Sequence, residues 1–335
     1  MVTIYDIAKA CNCSSATVSK VLSRSGNISE KKRTEVLEAA RSLGYVPNVT
    51  ARNLVMKRSN MVGVLLFSDK VLGLRHELFA EILNAFRTVM EETNYEIVLI
   101  SEKATQWDGS FLTHCRALRL DGLFCLCCEY TKKAVRDLFE SNLPIVGFES
   151  PYGERSSVAS KNFESGKRLT EYLIGLGHRR IAFLAGKDTD ITRERIAGYR
   201  AALAEHSIPF DEALLIRTNY FSADNGENAT RSLLSCGRTF TAAMYPDDFT
   251  ALAATYLLAQ HGLFVGKNIS VTGFDGISVG SLVTPRLTTM RQNAQAIGTA
   301  AAQSLINQIE GKENPQFTVS LETTLVKGES TAAVT

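Results

Sequence analysis

Charged side chains follow several of the predicted strands at the point where each strand ends. Asp69 follows the first apolar run, Glu149 follows the fourth, and Asp275 ends the run ISVTGFD. Arg195 stands at the start of a predicted helix, where its guanidinium can form paired hydrogen bonds with hydroxyls or a carboxylate. Open α/β sheets bind ligands at the carboxyl ends of their strands. These residues therefore predict a ligand site, although each acidic residue could instead cap a helix.

Motifs for catalysis are missing from the sequence. The stretch GLGH (175–178) is half of a dinucleotide fingerprint and precedes a strand, and no phosphate-loop motif occurs. Cys125, Cys127 and Cys128 have no companion pair at metal-ligand spacing, which favours structural thiols. None of the five histidines has a Ser or Cys partner in a recognisable motif. We therefore predict no enzyme, no cofactor and no metal site.

The elements that position the site alternate between apolar runs and amphipathic stretches from residue 61 onward, a pattern typical of parallel β-α-β units. Eight units over 275 residues fit two sheets better than one, so we expect two doubly wound parallel-sheet subdomains. The strand candidates are 61–67, 95–100, 122–127, 143–149, 180–186, 213–217, 241–245 and 269–275. The helical candidates include 79–92, 163–175 and 196–205.

Residues 1–60 differ from the rest of the chain in charge and in periodicity. They hold ten Lys and Arg against four Asp and Glu, a balance of +6, whereas the remainder has 27 against 31. The spacing predicts three short helices, capped by Thr3 with Asp6, by Ser14 and by Ser29, with Gly44 ending the third. A small basic, all-α head on a mildly acidic body indicates that the head meets a polyanion.

The second predicted helix, SSATVSKVLS, has small side chains on one face. Its apolar residues define the buried face, which leaves a set of small or basic residues towards solvent: Ser15, Ala16, Thr17, Ser19 and Lys20. Small side chains let a helix lie deep in the major groove, and a lysine can reach a guanine edge or a phosphate. The pattern favours a helix-turn-helix DNA reader over a solvated polar helix in an ordinary helical subdomain.

Longer motifs carry a resemblance to a known family. VTIYDIAKACNCSSATVSKVLS and ISEKKRTEVLEAARSLGYVPNVTARNL resemble the N-terminal region of the LacI/GalR family of bacterial repressors. GHRRIAFLAG, RERIAGYRAAL, ISVTGFD and PRLTTMRQ extend the likeness along the chain. The resemblance implies a helix-turn-helix domain (1–46), a hinge helix (47–60) and a periplasmic-binding-protein-like body. In the body it implies an N-terminal subdomain (61–162 and 291–321) and a C-terminal subdomain (163–290 and 322–335).

The resemblance also implies roles for residues of the head and the hinge. Ser15, Ala16 and Lys20 would set the operator sequence, while Tyr5 and Thr17 would contact the backbone or groove. Ser23 stands where the family usually has Asn. In the hinge, Asn48 and Arg52 would meet the DNA, and Leu54 would be driven into a base step as an apolar wedge. The other reading of this stretch is an amphipathic linker packed on the body.

In the body, the resemblance implies that Arg195 and Asp275 hold a small-molecule effector, a sugar or a nucleobase, between the subdomains. The other residues that we expect in this site are Asp69, Phe79, Glu149, Lys161, Phe221 and Asp247. Phe79 and Phe221 could instead belong to the core. Lys161 and Asp247 depart from the Asp and Asn usual in the family, and Arg75 and His76 are additional. With Arg195, the basic members of this group suggest an anionic effector such as a sugar phosphate.

Together these features predict a cytoplasmic, homodimeric regulator, in the first place a repressor, that binds operator DNA under control of a sugar or sugar derivative. No signal peptide or membrane span is visible, and an odd number of cysteines, seven, fits reduced thiols. The alternatives are a corepressor-dependent regulator that responds to a nucleobase or a phosphorylated metabolite, and a solute-binding or sugar-modifying α/β protein.

Overall fold

A computed structural model of the protein describes residues 2–22, 26–45, 58–66, 73–101, 109–152, 156–312 and 318–334. Some of the residues discussed above lie outside these ranges: Ser23, Asn48, Arg52, Leu54 and Asp69. The chain divides into two compact units, the head (Met1–Ser59) and the body (Asn60–Thr335).

The head contains the three predicted helices, α1 (Ile4–Ala10), α2 (Ser15–Leu22) and α3 (Glu30–Ser42). The predicted caps are confirmed, because Asp6 accepts a hydrogen bond of 2.8 Å from the Thr3 amide and Ser14 accepts one of 3.1 Å from the backbone of Thr17. Ser29 caps α3 in the same way. The helices enclose a small core that includes Ile7, Val18, Val21 and Val36. That core fixes which face of α2 is exposed.

The body contains two six-stranded sheets, ordered β11-β5-β4-β3-β1-β2 and β12-β10-β9-β8-β6-β7. Every strand pair is parallel except the antiparallel pair of β10 and β12. The first sheet has the strands β1 (Met61–Leu66), β2 (Glu96–Ile100), β3 (Gly122–Cys127), β4 (Ile145–Phe148), β5 (Ser156–Ser160) and β11 (Thr318–Leu321). The second has β6 (Ile181–Ala185), β7 (Leu215–Arg217), β8 (Ala242–Met244), β9 (Ser270–Asp275), β10 (Thr288–Arg291) and β12 (Thr324–Val326).

Helices cover the sheets and complete two lobes, the first lobe around the first sheet and the second lobe around the second. The helices of the first lobe are α4 (Glu77–Glu92), α5 (Phe111–Ala117), α6 (Lys133–Phe139) and α12 (Ala294–Glu310). Those of the second lobe are α7 (Asn162–Gly175), α8 (Asp190–Glu205), α9 (Ala223–Leu234), α10 (Asp248–Gln260) and α11 (Val279–Leu282). The main helix pairs are α4 with α12, α7 with α8 and α9 with α10. None of the described helices is both long and apolar enough to cross a membrane.

The chain passes between the lobes three times, after β5, after β10 and after β11. Side chains tie these three crossovers together. Ser160 donates to Gln292 Oε1 at 2.6 Å, and the hydroxyls of Ser165 and Thr323 lie 2.8 Å apart. Parallel sheets place the carboxyl ends of their strands at one edge, so the crossovers lie beside the loops where a ligand site is expected.

The predicted strands do not include β5, β10, β11 and β12, and the reason is clearest for β5 and β10. Their sequences, SSVAS and TTMR, are rich in Ser and Thr, yet most of their residues are buried. These side chains are tolerated inside because their hydroxyls and neighbouring amides are hydrogen-bonded. For example, Ser157 accepts from the amide of Ser150, and Thr289 donates to Asp248. An apolar-run criterion misses strands of this kind, since buried polar groups with partners cost little.

Candidate functional site

Arg195 is held rigidly between three segments of the body. It lies in the second turn of α8, which begins at Asp190, so the expectation that it opens a helix is wrong. Its side chain is 5% exposed; Nε donates to Asn162 Oδ1 at 2.8 Å, and a terminal nitrogen donates to the carbonyl of Pro246 at 3.1 Å. Its guanidinium carbon lies 3.4 Å from the ring centroid of Phe274. Hydrogen bonds and a cation–π contact therefore position this buried charge.

Asn162 connects Arg195 to Glu149. Its side-chain nitrogen donates to Glu149 Oε1 at 3.2 Å, so the three side chains form a chain of polar contacts from the end of β4 to α8. Burial raises the pKa of Glu149, while the charge of Arg195 and the bond from Asn162 act in the opposite direction. This polar chain crosses from the first lobe to the second.

Asp275 lies at the end of β9, as predicted, and is 5% exposed. Its φ of 104° is in the left-handed region, a strain that persists chiefly where the surrounding structure enforces it, as at functional sites. Oδ1 accepts from Gln292 Nε2 at 2.7 Å, which links Asp275 to the crossover residue Ser160. Burial, together with the nearby carboxylates of Asp248 and Asp247, raises the pKa of Asp275 well above its ordinary value.

His76 meets Asp275 across the junction of the lobes. The imidazole is completely buried, and its Nε2 lies 3.6 Å from Asp275 Oδ2. Three phenylalanine rings surround it, with centroid distances of 5.0 Å to Phe79, 4.6 Å to Phe221 and 5.2 Å to Phe249. Burial in this aromatic cage lowers the pKa of His76 to about 4, although the charge of the adjacent acidic residue, Glu77, acts in the opposite direction. The expected cationic His76 is therefore wrong at neutral pH.

The two phenylalanines predicted for the site belong to different lobes and touch each other. Phe79 lies in α4 and contributes to the core of the first lobe, whereas Phe221 precedes α9; their ring centroids are 5.6 Å apart. Phe79 is thus both a core residue and a wall of the aromatic cage.

Asp247 holds the backbone of one residue of this aromatic cage, Phe221. It is fully buried, and it caps α10 by accepting from the amide of Thr250 at 2.9 Å. Its other oxygen accepts from the amide of Phe221 at 2.9 Å. Because both oxygens already bind backbone donors, the observed geometry gives Asp247 a capping and positioning role.

Lys161 lies at the rim of the site, in a groove of about 390 Å³. Four acidic residues share the groove: Glu149, Glu164, Asp190 and Glu194. The ammonium of Lys161 forms an ion pair with Glu322, which follows β11. Together with the neutral His76, this pairing leaves Arg195 as the main buried cation among the described residues. Of the four basic residues behind the predicted anionic effector, only Arg195 is both buried and charged, and Arg75 is exposed; the anionic effector stays a prediction.

Several residues that complete the site were missed by sequence reasoning: Asn162, Gln292, Phe249 and Asp248. Two signals were present in the sequence. Asn162 follows Lys161 directly, and Gln292 ends the motif PRLTTMRQ that was used only for the family resemblance. Both residues stand at crossovers, where a polar side chain can reach both lobes.

The buried imidazole makes the stability of the body depend on pH. The pKa of His76 is about 4 in the fold, against an ordinary 6.5, so the unfolded chain binds this proton first as the pH falls. The part of the stability that depends on a neutral His76 is complete above pH 6.5 and is lost as the pH falls towards 4. At about 1.4 kcal/mol per pH unit, the loss is on the order of 3 kcal/mol. We expect His76→Phe to lose less stability over this window in urea unfolding at fixed pH; equal acid sensitivity of the two proteins would contradict this expectation.

In the head, α2 presents the predicted face to solvent. Ala16, Ser19 and Lys20 are exposed, and Ser15 and Thr17 are half-buried. On α1, Tyr5 is 70% exposed, which is unusual for a large aromatic side chain. The hydroxyls of Ser14 and Thr17 lie 2.9 Å apart, so Thr17 is oriented at the start of α2. A helix with this face can enter the major groove without steric conflict.

Comparison with known proteins gives matches for both units, the head and the body. Residues 3–48 match the family described as bacterial regulatory proteins, lacI family, and residues 170–331 match the periplasmic binding protein-like domain. Over 317 residues, 93% of each chain, the protein is 30% identical to the probable HTH-type transcriptional repressor ExuR of Bacillus subtilis (strain 168). The chain belongs to the LacI family. This LacI-family chain is therefore a DNA-binding transcriptional regulator and not an enzyme.

Solved structures agree with this assignment over the full length of the regulator. The lac repressor dimer bound to operator and the anti-inducer ONPF is 27% identical, with a TM-score of 0.84 and 99% of each chain covered. The CelR–cellobiose complex is 28% identical, with a TM-score of 0.73, and covers 99% of this chain and 100% of its own. The fold class predicted from the sequence is thus confirmed.

Proposed function

We propose that this regulator is a homodimeric repressor that binds a near-palindromic operator through α2 and responds to a sugar bound between its lobes. The observation that carries the proposal is the polar hub at the crossovers, formed by Arg195, Asn162, Asp275 and Gln292. It supplies donors and acceptors where the lobes meet. The relatives support the same reading, since they include a probable repressor, an operator-bound dimer and a cellobiose complex.

The hub also supports a mechanism for control. A sugar that contacts Arg195 and Asp275 engages groups hydrogen-bonded to crossover residues, so its binding biases how the lobes close on each other. In a dimer, such a movement of the first lobes changes the spacing of the segments that lead to the two heads. The effect on operator affinity is a coupling free energy between the two sites, with loss of affinity corresponding to induction.

The hinge carries the second half of this mechanism. Leu54 lies outside the described residues, and its proposed role rests on the sequence: a pair of leucines inserted into a central base step, whose unstacking cost is offset by added contacts on a bent duplex. We expect Leu54→Ala to weaken binding to the selected operator at least tenfold while leaving binding to nonspecific DNA unchanged, as measured by fluorescence anisotropy. Unchanged operator affinity would remove the wedge from the mechanism.

Two exposed apolar residues of the second lobe are candidates for the dimer interface. Leu282 on α11 is 80% exposed and Tyr256 on α10 is 73% exposed, so a partner subunit could bury either side chain. We expect Leu282→Asp to weaken self-association at least tenfold, because a carboxylate would be desolvated in the interface. Analytical ultracentrifugation measures this change, with Asn228→Asp on the exposed side of α9 as a surface control; a dimer of unchanged affinity would place the interface elsewhere.

The experiment that tests the proposal is operator selection with the purified full chain, followed by anisotropy titrations with a panel of neutral, acidic and phosphorylated sugars. A symmetric selected sequence whose affinity changes with one of these sugars supports the proposal. Selection of no preferred sequence, or catalytic turnover of a sugar by the protein, would overturn it.

A further inference from the structure

The contact between His76 and Asp275 brings together buried polar groups from the two lobes. His76 directly precedes α4, which packs on the first lobe, and Asp275 ends β9 of the second sheet. The imidazole has no exposed surface, and Asp275 is 5% exposed. Within the described part of the chain, three of their atoms have no hydrogen-bond partner: Nδ1 and Nε2 of His76, and Oδ2 of Asp275. Buried polar atoms in native folds are rarely left in this condition, so these atoms call for a partner.

The surroundings of His76 offer no protein partner among the described residues. Its closest ring neighbours are Phe79, Phe221 and Phe249, which present apolar edges and faces. The other oxygen of Asp275 is already bonded to Gln292. Two of the three unpartnered atoms, His76 Nε2 and Asp275 Oδ2, therefore lie 3.6 Å apart beside the aromatic cage at the lobe junction.

We propose that His76 is a specificity-determining residue, and that His76 Nε2 and Asp275 Oδ2 bind the same hydroxyl group of a neutral sugar. This inference rests on the sugar-binding cleft of the proposed function and adds a ligand group to it. A hydroxyl donates one hydrogen bond to a carboxylate oxygen and accepts another from an imidazole N–H. An oxygen about 2.8 Å from each atom closes a triangle over their 3.6 Å separation.

Other ligand groups fit this pair less well. A carboxylate or a phosphate would add a further negative group beside Asp275, Asp247 and Asp248, and only the charge of Arg195 acts in the opposite direction. An ammonium would satisfy Asp275, but it could bond to Nε2 only in the tautomer whose proton is on Nδ1, where the described residues offer that N–H no acceptor. The pair therefore selects a neutral polyol at this position, and the aromatic rings exclude water around it.

The position of the pair gives the hydroxyl a further effect. Because His76 and Asp275 belong to different lobes, a hydroxyl bonded to both links the lobes directly. Opening of the cleft separates the two atoms and breaks at least one of these bonds. Loss of the imidazole should consequently weaken ligand binding through one hydroxyl and leave the remaining hydroxyls of the sugar unaffected.

The test is isothermal titration calorimetry on the full chain with D-ribose, D-glucose, cellobiose, D-glucosamine, D-glucuronate and glucose 6-phosphate. The tightest neutral sugar is then compared with its monodeoxy analogues, on wild type and on His76→Phe, whose ring suits the aromatic cage. We expect one analogue to bind wild type roughly 10- to 100-fold more weakly. His76→Phe should bind the parent sugar more weakly, and the deoxy analogue should lose less affinity on His76→Phe than on wild type, because only the bond from the hydroxyl to Asp275 remains.

Two further variants make the result specific. His76→Gln keeps a side-chain N–H donor. It takes the place of His76→Phe in the titrations if thermal unfolding shows that the phenylalanine variant folds poorly. His261→Phe is the matched control. His261 is exposed and follows the C-terminal end of α10, whereas Asp247 precedes its N-terminal end. The sugar affinities of His261→Phe should equal those of wild type.

Three results would overturn the inference: no neutral sugar binds, a charged member binds more tightly than every neutral one, or the losses from the deoxy analogue and from His76→Phe add fully. Operator selection, measured separately, distinguishes failure of the His76 inference from failure of the proposed function. A protein with sugar-dependent operator affinity but fully additive losses keeps its function and lacks the His76 subsite.

Discussion

Arg195→Ala is expected to abolish the response to sugar, with effector affinity reduced at least 100-fold. The substitution removes a buried cation that binds Asn162 and the carbonyl of Pro246, and it leaves Glu149 without its nearest positive charge. Breaking such a buried charged contact costs about 3 kcal/mol of unfolding free energy. Calorimetry with the tightest panel sugar measures the first effect and urea unfolding the second.

Arg195→Lys separates binding from stability. Lysine keeps the charge but cannot reproduce the paired donors of the guanidinium, so we expect a folded protein with at least tenfold weaker sugar binding. The matched control is Arg193→Ala on the same helix, because Arg193 is 59% exposed and pairs with Asp188 and Asp190 at the surface. It should resemble wild type in both assays. Equal sugar affinity in wild type and Arg195→Ala would exclude Arg195 from the site.

The second large effect is expected in the head, where Lys20→Glu should reduce operator affinity at least 100-fold at physiological salt. Lys20 is exposed on the second half of α2, where an ammonium can neutralise a phosphate or donate to a guanine edge. A carboxylate at this position would repel the phosphates and could not donate to the guanine. The salt dependence of binding should also become shallower by about one unit of the logarithmic slope.

Lys9→Glu is the control for this charge reversal. Lys9 is exposed in the last turn of α1 and changes the net charge equally, but it is not on the face of α2. We expect less than a tenfold loss of operator affinity for this variant. If both reversals weaken binding equally, α2 is not the reading helix and the interaction is a general effect of charge.

The fold was largely predictable because its signals are local. Apolar runs marked β1 and β9, and side-chain caps marked the three helices of the head, since both features depend on residues close in sequence. Strands β5 and β10 were missed for the opposite reason. Their buried Ser and Thr side chains are satisfied by partners elsewhere in the chain, such as Asp248 for Thr289.

The site was predictable only in part. Asp275 follows from the end of a predicted strand and Arg195 from the family resemblance, but the contacts that connect them join residues far apart in sequence, 33 positions for Asn162 with Arg195 and 132 for Ser160 with Gln292. The charge of His76 was predicted wrongly because its pKa depends on burial among three phenylalanines from different elements. Such burial depends on tertiary packing, and a count of the basic residues in the sequence does not reveal it.

In the proposed mechanism, the cleft between the lobes controls the head. The most direct test is the affinity of the full chain for its selected operator, measured by anisotropy with and without the tightest panel sugar, in wild type and Arg195→Ala. We expect sugar to change the operator affinity of wild type at least tenfold and to leave that of Arg195→Ala unchanged. A sugar that binds wild type in calorimetry without altering operator affinity would contradict it.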